Sequence, residues 1–358
     1  MIIKSLELQN FRNYDTIKID FDNGTNIFYG DNAQGKTNIL ESIFMIATTK
    51  SHKGSKDQDI IKFDKEEGHI RAYLYKDDIT RQVDMHLRKN KSKGIAIDSQ
   101  KIKKAADLLG LLNVVFFSPE DLNIIKNGPT ERRRFLDMEL CQLDSFYLYN
   151  LNHYNKIISQ RNKLLKDLSN NPSLRDTLSI WDSQLASFGG KIIERRSLFI
   201  NQLNEIIRDI HSKLSGGKEC ISIKYEKNAE SAELEDKINK SRDRDIYLKQ
   251  TTVGPHRDDI AFIINDIDIR KFGSQGQQRT AALSLKLSEI ELVKKSIHDT
   301  PVLLLDDVLS ELDSSRQNYL LNQIGDIQTI ITCTGLDEFI KNRFEINKVF
   351  HVVNGVIG

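Results

Sequence analysis

Residues 30–37, GDNAQGKT, set two glycines, a lysine and a threonine at the spacing of a loop that wraps phosphate. Gly30 and Gly35 permit a tight turn in which the backbone N–H groups of the loop, running through Asp31, Asn32, Ala33 and Gln34, face inward at a helix N-terminus. Lys36 adds a positive charge at the β- and γ-phosphates, and the Thr37 hydroxyl suits Mg²⁺. ATP and Mg²⁺ are the expected ligands. A second stretch, PVLLLDD (301–307), is an apolar run that ends in two carboxylates. It reads as a buried strand that delivers charge at its C-terminal edge, where α/β sheets bind ligands. Asp306 is then placed to hold Mg²⁺, and Asp307 to orient or deprotonate an attacking water. Paired aspartates after a strand also cap helices, so this stretch gains its meaning from the first.

A third stretch, KFGSQGQQRTAALSLKLSE (271–289), admits two readings. Ser274, Gly276 and Gln277 at a helix start make an anion site without a lysine. Equally, Ser274 caps the helix with Gln277 as its reciprocal partner.

The elements around these stretches alternate strand and helix. Strand patterns occupy the first 29 residues, and TNILESIFMIA after the loop is an apolar helix. HIRAYLY and RQVDMHLR are further strands, and NVVFF suits a buried one. SPED opens a helix, with Ser118 as cap, Pro119 at the first position and Asp121 three residues on. The middle of the chain changes character. Leu136, Leu140, Tyr147, Tyr154 and Leu165 recur at helical spacing, as do Trp181, Leu185, Phe188, Ile192 and Leu203 after SNNPS. Two antiparallel helices of about 35 residues, each about 50 Å long, are predicted, held by an apolar seam. Strand signals return at CISIKY, IAFIIN, VLLLD, TIIT and VFHVV. The simplest organisation is an α/β head interrupted by a helical insertion: residues 1–120 as the first part of the head, 121–215 as the insertion and 216–358 as its second part.

The whole chain, 358 residues with 52 Lys and Arg against 51 Asp and Glu, carries no global basic field, so any nucleic-acid footprint must be local. Basic clusters stand at Lys50, His52, Lys53 and Lys56, at Arg88, Lys89, Lys91 and Lys93, at Lys101, Lys103 and Lys104, and at Arg132 to Arg134. Such clusters are more often solvated faces. Three scattered cysteines, Cys141, Cys220 and Cys333, form no metal or disulfide pattern. No run reaches the length of a membrane span, and the N-terminus reads as a strand rather than a signal peptide. A cytoplasmic location is expected.

The order of phosphate loop, Ser-x-Gly-Gln, acidic strand and SELD resembles the ABC-type ATPases. In that family the Ser-x-Gly-Gln loop closes over the γ-phosphate held by a second subunit in a head-to-tail dimer, and SELD, with Asp313, crosses the same interface. LELQNFRNY, NGPTERRRFLD and TTVGPHRDD narrow the resemblance to the RecF family of bacterial recombination mediators. The short helical pair, with no CxxC hook, also separates it from the long-armed ATPases of chromosome condensation. The resemblance implies an ABC-type head with a short helical second lobe. It also implies Arg12 and Asn13 near the nucleotide, whereas the glutamine loop of the transporters has no clear counterpart, with Ser118–Asp121 the nearest candidate region. Its implied activity is an ATP-dependent homodimer that grips double-stranded DNA at single-strand gaps without sequence preference. Its implied partners are RecR, with RecO, and indirectly RecA, in recombinational repair and the SOS response. Transporter ATPases place a histidine where IITCTG offers Thr332 and Thr334; a hydroxyl cannot polarise charge in the same way, so weak hydrolysis of ATP to ADP and phosphate is expected, and the resemblance implies that DNA stimulates it. The rivals are a transporter ATPase subunit and a DNA scaffold for which ATP is only dimerising glue.

Overall fold

Alternating apolar positions in the first strands and continuous apolar runs in VVFF, VLLLD and TIITC produce two kinds of sheet, as their patterns require. The computed structural model describes residues 1–336 and 346–358. They form two compact units, Met1–Asp121 with Lys286–Gly358, and Leu122–Leu285.

In the first unit, β1 (Ile2–Phe11), β2 (Tyr14–Asp20), β4 (Glu67–Lys76), β5 (Ile79–Arg88), β6 (Gly94–Ile97) and β7 (Gln100–Lys101) make an antiparallel sheet in the order β2-β1-β4-β5-β6-β7. A second sheet runs β15-β14-β3-β13-β12-β8, from β3 (Thr25–Tyr29), β8 (Val114–Phe117), β12 (Val302–Asp306), β13 (Thr329–Cys333), β14 (Ile346–Val353) and β15 (Val356–Ile357). All its pairings are parallel except the β14–β15 hairpin. Helix α1 (Lys36–Thr48) packs against β4 of the first sheet and β8, β12 and β13 of the second. This explains why Ile39, Leu40, Ile43, Met45 and Ile46 are buried on every side of it. Short α2 (Asp57–Ile60) and α11 (Ser314–Ile324) belong to the same unit.

The second unit holds α3 (Leu122–Lys126), α4 (Pro129–Leu143), α5 (Ser145–Asp167), α6 (Leu178–Leu214), α7 (Leu234–Lys240), α8 (Arg242–Leu248) and α9 (Ile269–Phe272). Its small sheet is β11-β10-β9, from β9 (Ile221–Glu226), β10 (Asp259–Ile264) and β11 (Ile267–Asp268). Helix α10 (Gln275–Ile297) starts here and runs past Leu285.

Two expectations change. The first long helix is two: Asp144 adopts an extended backbone and its carboxylate accepts from the N–H groups of Phe146 and Tyr147, capping α5 and ending α4. The insertion also does not end at 215. Residues 216–285 group with the helices because β9 and β10 pair with each other while β9 and α7 pack on α6.

The seam between α5 and α6 also differs from a purely apolar stripe. Arg161 is fully buried and donates to Asp182 at 2.7 Å and Asp245 at 2.7 Å, both buried. Arg196, equally buried, reaches Asp137 at 2.7 Å and the Pro255 carbonyl at 2.8 Å. Gly189 is required where α6 meets its neighbours, since a Cβ there would lie 2.8 Å from Leu234 and 3.1 Å from Tyr154. His256 closes this network, its ring nitrogens facing the Tyr154 hydroxyl at 2.8 Å and the Thr251 carbonyl at 3.0 Å. Burial pushes the imidazole down to about 4, so it is neutral in the fold and protonates in the unfolded chain near its ordinary value. The folded-state value is depressed, so stability is full above about pH 6.5 and falls as pH drops toward 4. Between about pH 7.5 and 5 the loss from this residue is about 2 kcal/mol. Urea unfolding of the wild type against His256→Gln checks this: the variant should lose less stability over that interval.

Candidate nucleotide-binding site

The parallel strands β3, β13 and β12 lie in register, with Thr332 opposite Phe28 and Asp306 opposite Thr332. Their carboxyl ends therefore bring the loop after β3, the end of β13 and the acidic pair to one edge of the sheet. In the loop Gly30 has φ +148, and a Cβ there would sit 2.3 Å from the Val352 carbonyl oxygen. Gly35, at φ +111, would strike the Asn13 side chain at 2.5 Å. Only glycine fits at either place. Ala33 also takes a left-handed conformation, at φ 63. Lys36 turns back into the loop, its Nζ donating to the carbonyls of Gly30 at 2.6 Å and Asp31 at 2.7 Å.

The Thr37 hydroxyl donates to Asp306 Oδ1 at 2.8 Å, and the Thr332 hydroxyl donates to the same oxygen at 2.7 Å. Thr37 and Asp306 thus offer oxygen ligands side by side. Mg²⁺ is commonly bound by one or two protein oxygens with phosphates and waters completing its shell, so these residues fit it. No cluster of His, Cys, Asp and Glu able to cage a metal by itself exists among the described residues.

Asp307 has a left-handed backbone, φ 53, and its N–H donates to the Thr332 carbonyl at 3.1 Å. Burial pushes its carboxyl above the ordinary range and the adjacent Asp306 charge adds to this, while a hydrogen bond from Ser310 and the charge of Lys36 oppose it. A carboxylate raised in this way is suited to accept a proton.

The predicted residues near the loop divide. Asn13 is brought to it: Asn13 Nδ2 donates to the Gln34 carbonyl at 2.9 Å. Arg12 is turned elsewhere. Its guanidinium pairs with buried Glu41 at 2.8 and 2.7 Å, with Ser55 Oγ at 2.9 Å and with the Asp59 carbonyl at 2.9 Å. Burial alone would raise the Glu41 carboxyl, but hydrogen bonds from Arg12 and Ser51 and the Arg12 charge hold it below its usual range. Arg12 therefore anchors α1 through Glu41 in this structure, and its guanidinium makes no hydrogen bond to the phosphate loop among the described residues. Two supports escaped the sequence reading. The Tyr14 hydroxyl donates to the Gly35 carbonyl at 3.0 Å, and Asn38 donates to Asn13 at 2.8 Å. A third was legible: Asn354–Gly355, both at positive φ between β14 and β15, is an Asn-Gly hairpin turn, and Gly355 lies against the Asn13 carbonyl.

Ser274 and Gln277 form the reciprocal cap. Ser274 N–H donates to Gln277 Oε1 at 3.0 Å, and Gln277 N–H donates to Ser274 Oγ at 3.2 Å. Ser274, Gly276 and the start of α10 stay exposed, and Gln277 also reaches Glu219 at 3.0 Å. Asp313 caps α11, accepting from Arg316 N–H at 3.0 Å. The Asp121 carboxylate accepts from Ser118 N–H at 2.8 Å, as a capping residue three positions on should.

The basic clusters also divide. Arg132 is buried and bidentate to Asp259, at 2.6 and 3.0 Å, and Arg133 donates to the Asp258 carbonyl at 2.9 Å. Internal acids and carbonyls explain these cations at the start of α4. Lys93 is tied to Asp57 at 2.9 Å and Lys89 to Glu66 at 3.1 Å. Lys50, Lys53, Lys56, Lys101, Lys103 and Lys104 remain exposed, with no ion pair among the described residues. No helix among those residues is long and apolar enough to cross a membrane.

A family model for the RecF/RecN/SMC N terminal domain matches residues 2–358. The DNA replication and repair protein RecF of Agathobacter rectalis is 64% identical over 357 residues, spanning 100% of this chain and 99% of the relative. The solved structure of the recombination mediator protein RecF with ATP, in the RecFOR pathway, is 36% identical with a TM-score of 0.93, covering 99% of this chain and 96% of that one. The Smc head domain of Pyrococcus furiosus, solved with the C-terminal domain of ScpA, is similar in fold alone, with a TM-score of 0.57 at 16% identity over 99% of this chain and 94% of that one. Fold, site and full-length similarity agree, and the chain belongs to the RecF family.

Proposed function

We propose that this protein is a DNA replication and repair ATPase whose two copies close on ATP to grip duplex DNA. The convergence of the Thr37 and Thr332 hydroxyls on one Asp306 carboxylate oxygen, with Asp307 next in the chain, carries the reading. The phosphate loop would wrap ATP, with Lys36 turning from the Gly30 and Asp31 carbonyls to the phosphates. Mg²⁺, held by Thr37 and Asp306, would neutralise phosphate charge. Asp307 accepts a proton from water as that water bonds to the γ-phosphorus and the bond to the β–γ bridging oxygen breaks, leaving ADP and phosphate. Thr332 holds Asp306 but brings no charge of its own, which favours slow turnover.

Ser274, Gly276 and Gln277 would close over the γ-phosphate of a second copy, and Asp313 would cross the same interface. The exposed start of α10 supports this, since it offers N–H groups and a positive dipole end to an anion. The unpaired lysines at 50, 53, 56, 101, 103 and 104 would meet the DNA backbone without reading sequence. The solved RecF structure belongs to the RecFOR pathway. By that kinship the protein would act at single-strand gaps with RecR and RecO and assist RecA loading.

Sedimentation with ATP, ADP or neither tests the pairing. Wild type should dimerise with ATP alone. Ser274→Arg should bind ATP as tightly as wild type while its dimer dissociation constant rises about 100-fold or more, over about 2.7 kcal/mol. ATP-driven dimerisation of Ser274→Arg at wild-type strength would remove the loop from the interface.

A further inference from the structure

Residues 145–166 contain no Asp or Glu, in a chain whose acids and bases are almost equal in number. This stretch is nearly all of α5, and its exposed face is aromatic. Phe146 is 79% exposed and Tyr149 53% exposed. The His153 ring lies 4.3 Å from Tyr149 and, stacked at 10°, 5.1 Å from Phe188 of α6. Lys191 Nζ stands 5.8 Å from the Phe188 ring centroid.

Cations continue the stripe. Lys156 follows His153 by three residues and Lys163 follows Lys156 by seven, on one side of the helix. Both are exposed and, like Lys191, form no ion pair among the described residues. Trp181, seven residues before Phe188, shares the same stripe of α6. Between the rings and lysines the helix presents asparagine, serine and glutamine rather than acids.

We propose that this face of α5 and α6 is a stacking platform for the unpaired bases of single-stranded DNA. Flat π-faces beside unpaired ammonium groups match a chain that carries one base and one phosphate per repeat, and such stacking tolerates any base. The acid-free stretch 145–166 of α5 admits the phosphates without repulsion from its own side chains. From Phe146 to Lys163 the helix rises about 25 Å, room for about four nucleotides. The proposal rests on the nucleic-acid part of the reading above but needs neither ATP nor pairing.

Fluorescence anisotropy of the full chain without nucleotide tests it, with three probes of about 20 units: oligo-dT, an abasic strand and a duplex. Tyr149→Ala with Phe188→Ala should raise Kd for oligo-dT about 10-fold or more and leave the other two probes unchanged. Tyr149→Phe should retain wild-type binding, and oligo-dT should quench Trp181, the sole tryptophan. Unchanged oligo-dT binding in the double variant overturns the platform and leaves the rings to a protein partner. An equal loss on all three probes overturns it in favour of plain charge or misfolding. Duplex binding and ATP-driven dimerisation could fail while ring-dependent oligo-dT binding persists; the clamp would then fall and the platform stand.

Discussion

Asp307→Asn should slow single-turnover ATP hydrolysis by about 100- to 1,000-fold while ATP affinity stays near wild type. The reasons are local. An amide fills the same space and keeps a side-chain oxygen for Ser310, but it cannot take up the proton of an attacking water. The backbone at 307 is left-handed, at φ 53, a conformation that Asn tolerates as readily as Asp, so no strain is added. The same backbone gives a physical reason for aspartate here, since a longer unbranched acid gains no local hydrogen bond to offset the left-handed strain. Rapid mixing of excess protein with labelled ATP measures the step directly. An unchanged rate would show that Asp307 is not the base and would favour the scaffold, in which ATP only glues two copies together.

Arg161→Ala should destabilise the second unit by about 3–5 kcal/mol, the largest effect expected away from the nucleotide. Arg161 and Asp182 are both buried, and Asp245 is sealed with them. Removing the cation leaves two carboxylates in a poor solvent. Arg242, donating to Asp182, and Thr252, donating to Asp245 at 2.6 Å, offset only part of the cost. Urea unfolding followed by Trp181 fluorescence reads this event, because Trp181 adjoins Asp182 on α6. The exposed pair Lys240–Asp236 makes the control, and because solvent screens it, its loss should leave the unfolding midpoint almost unchanged. Equal effects from the two sites would mean that burial does not set the value of these ion pairs.

The local signals were plain in the sequence. GDNAQGKT predicts a loop between strand and helix because glycine alone tolerates the conformations at 30 and 35, and that requirement is written in residue type. VLLLDD predicts a buried strand with acids at its end because apolar runs and charge have fixed preferences for burial. The capping residues Ser274 and Asp313 act within four residues of themselves, so they too are legible.

Partner choice across the chain was not. Arg12 reads as a candidate ligand of the nucleotide, yet it meets Glu41, a residue 29 positions away whose carboxylate is buried in α1. Arg132 to Arg134 read as a basic cluster, and Asp259, distant in sequence, takes the first of them. The apolar seam of α5 and α6 conceals Arg161 and Arg196, whose acids come from α6 and α8 for the first and from α4 and the segment before β10 for the second. By itself, the sequence determined the phosphate loop, the acidic strand and the alternation of strand and helix, because backbone freedom and hydrophobic period act within a few residues. Only the tertiary structure decided which charges are internal and which face solvent, because an ion pair depends on distance in space.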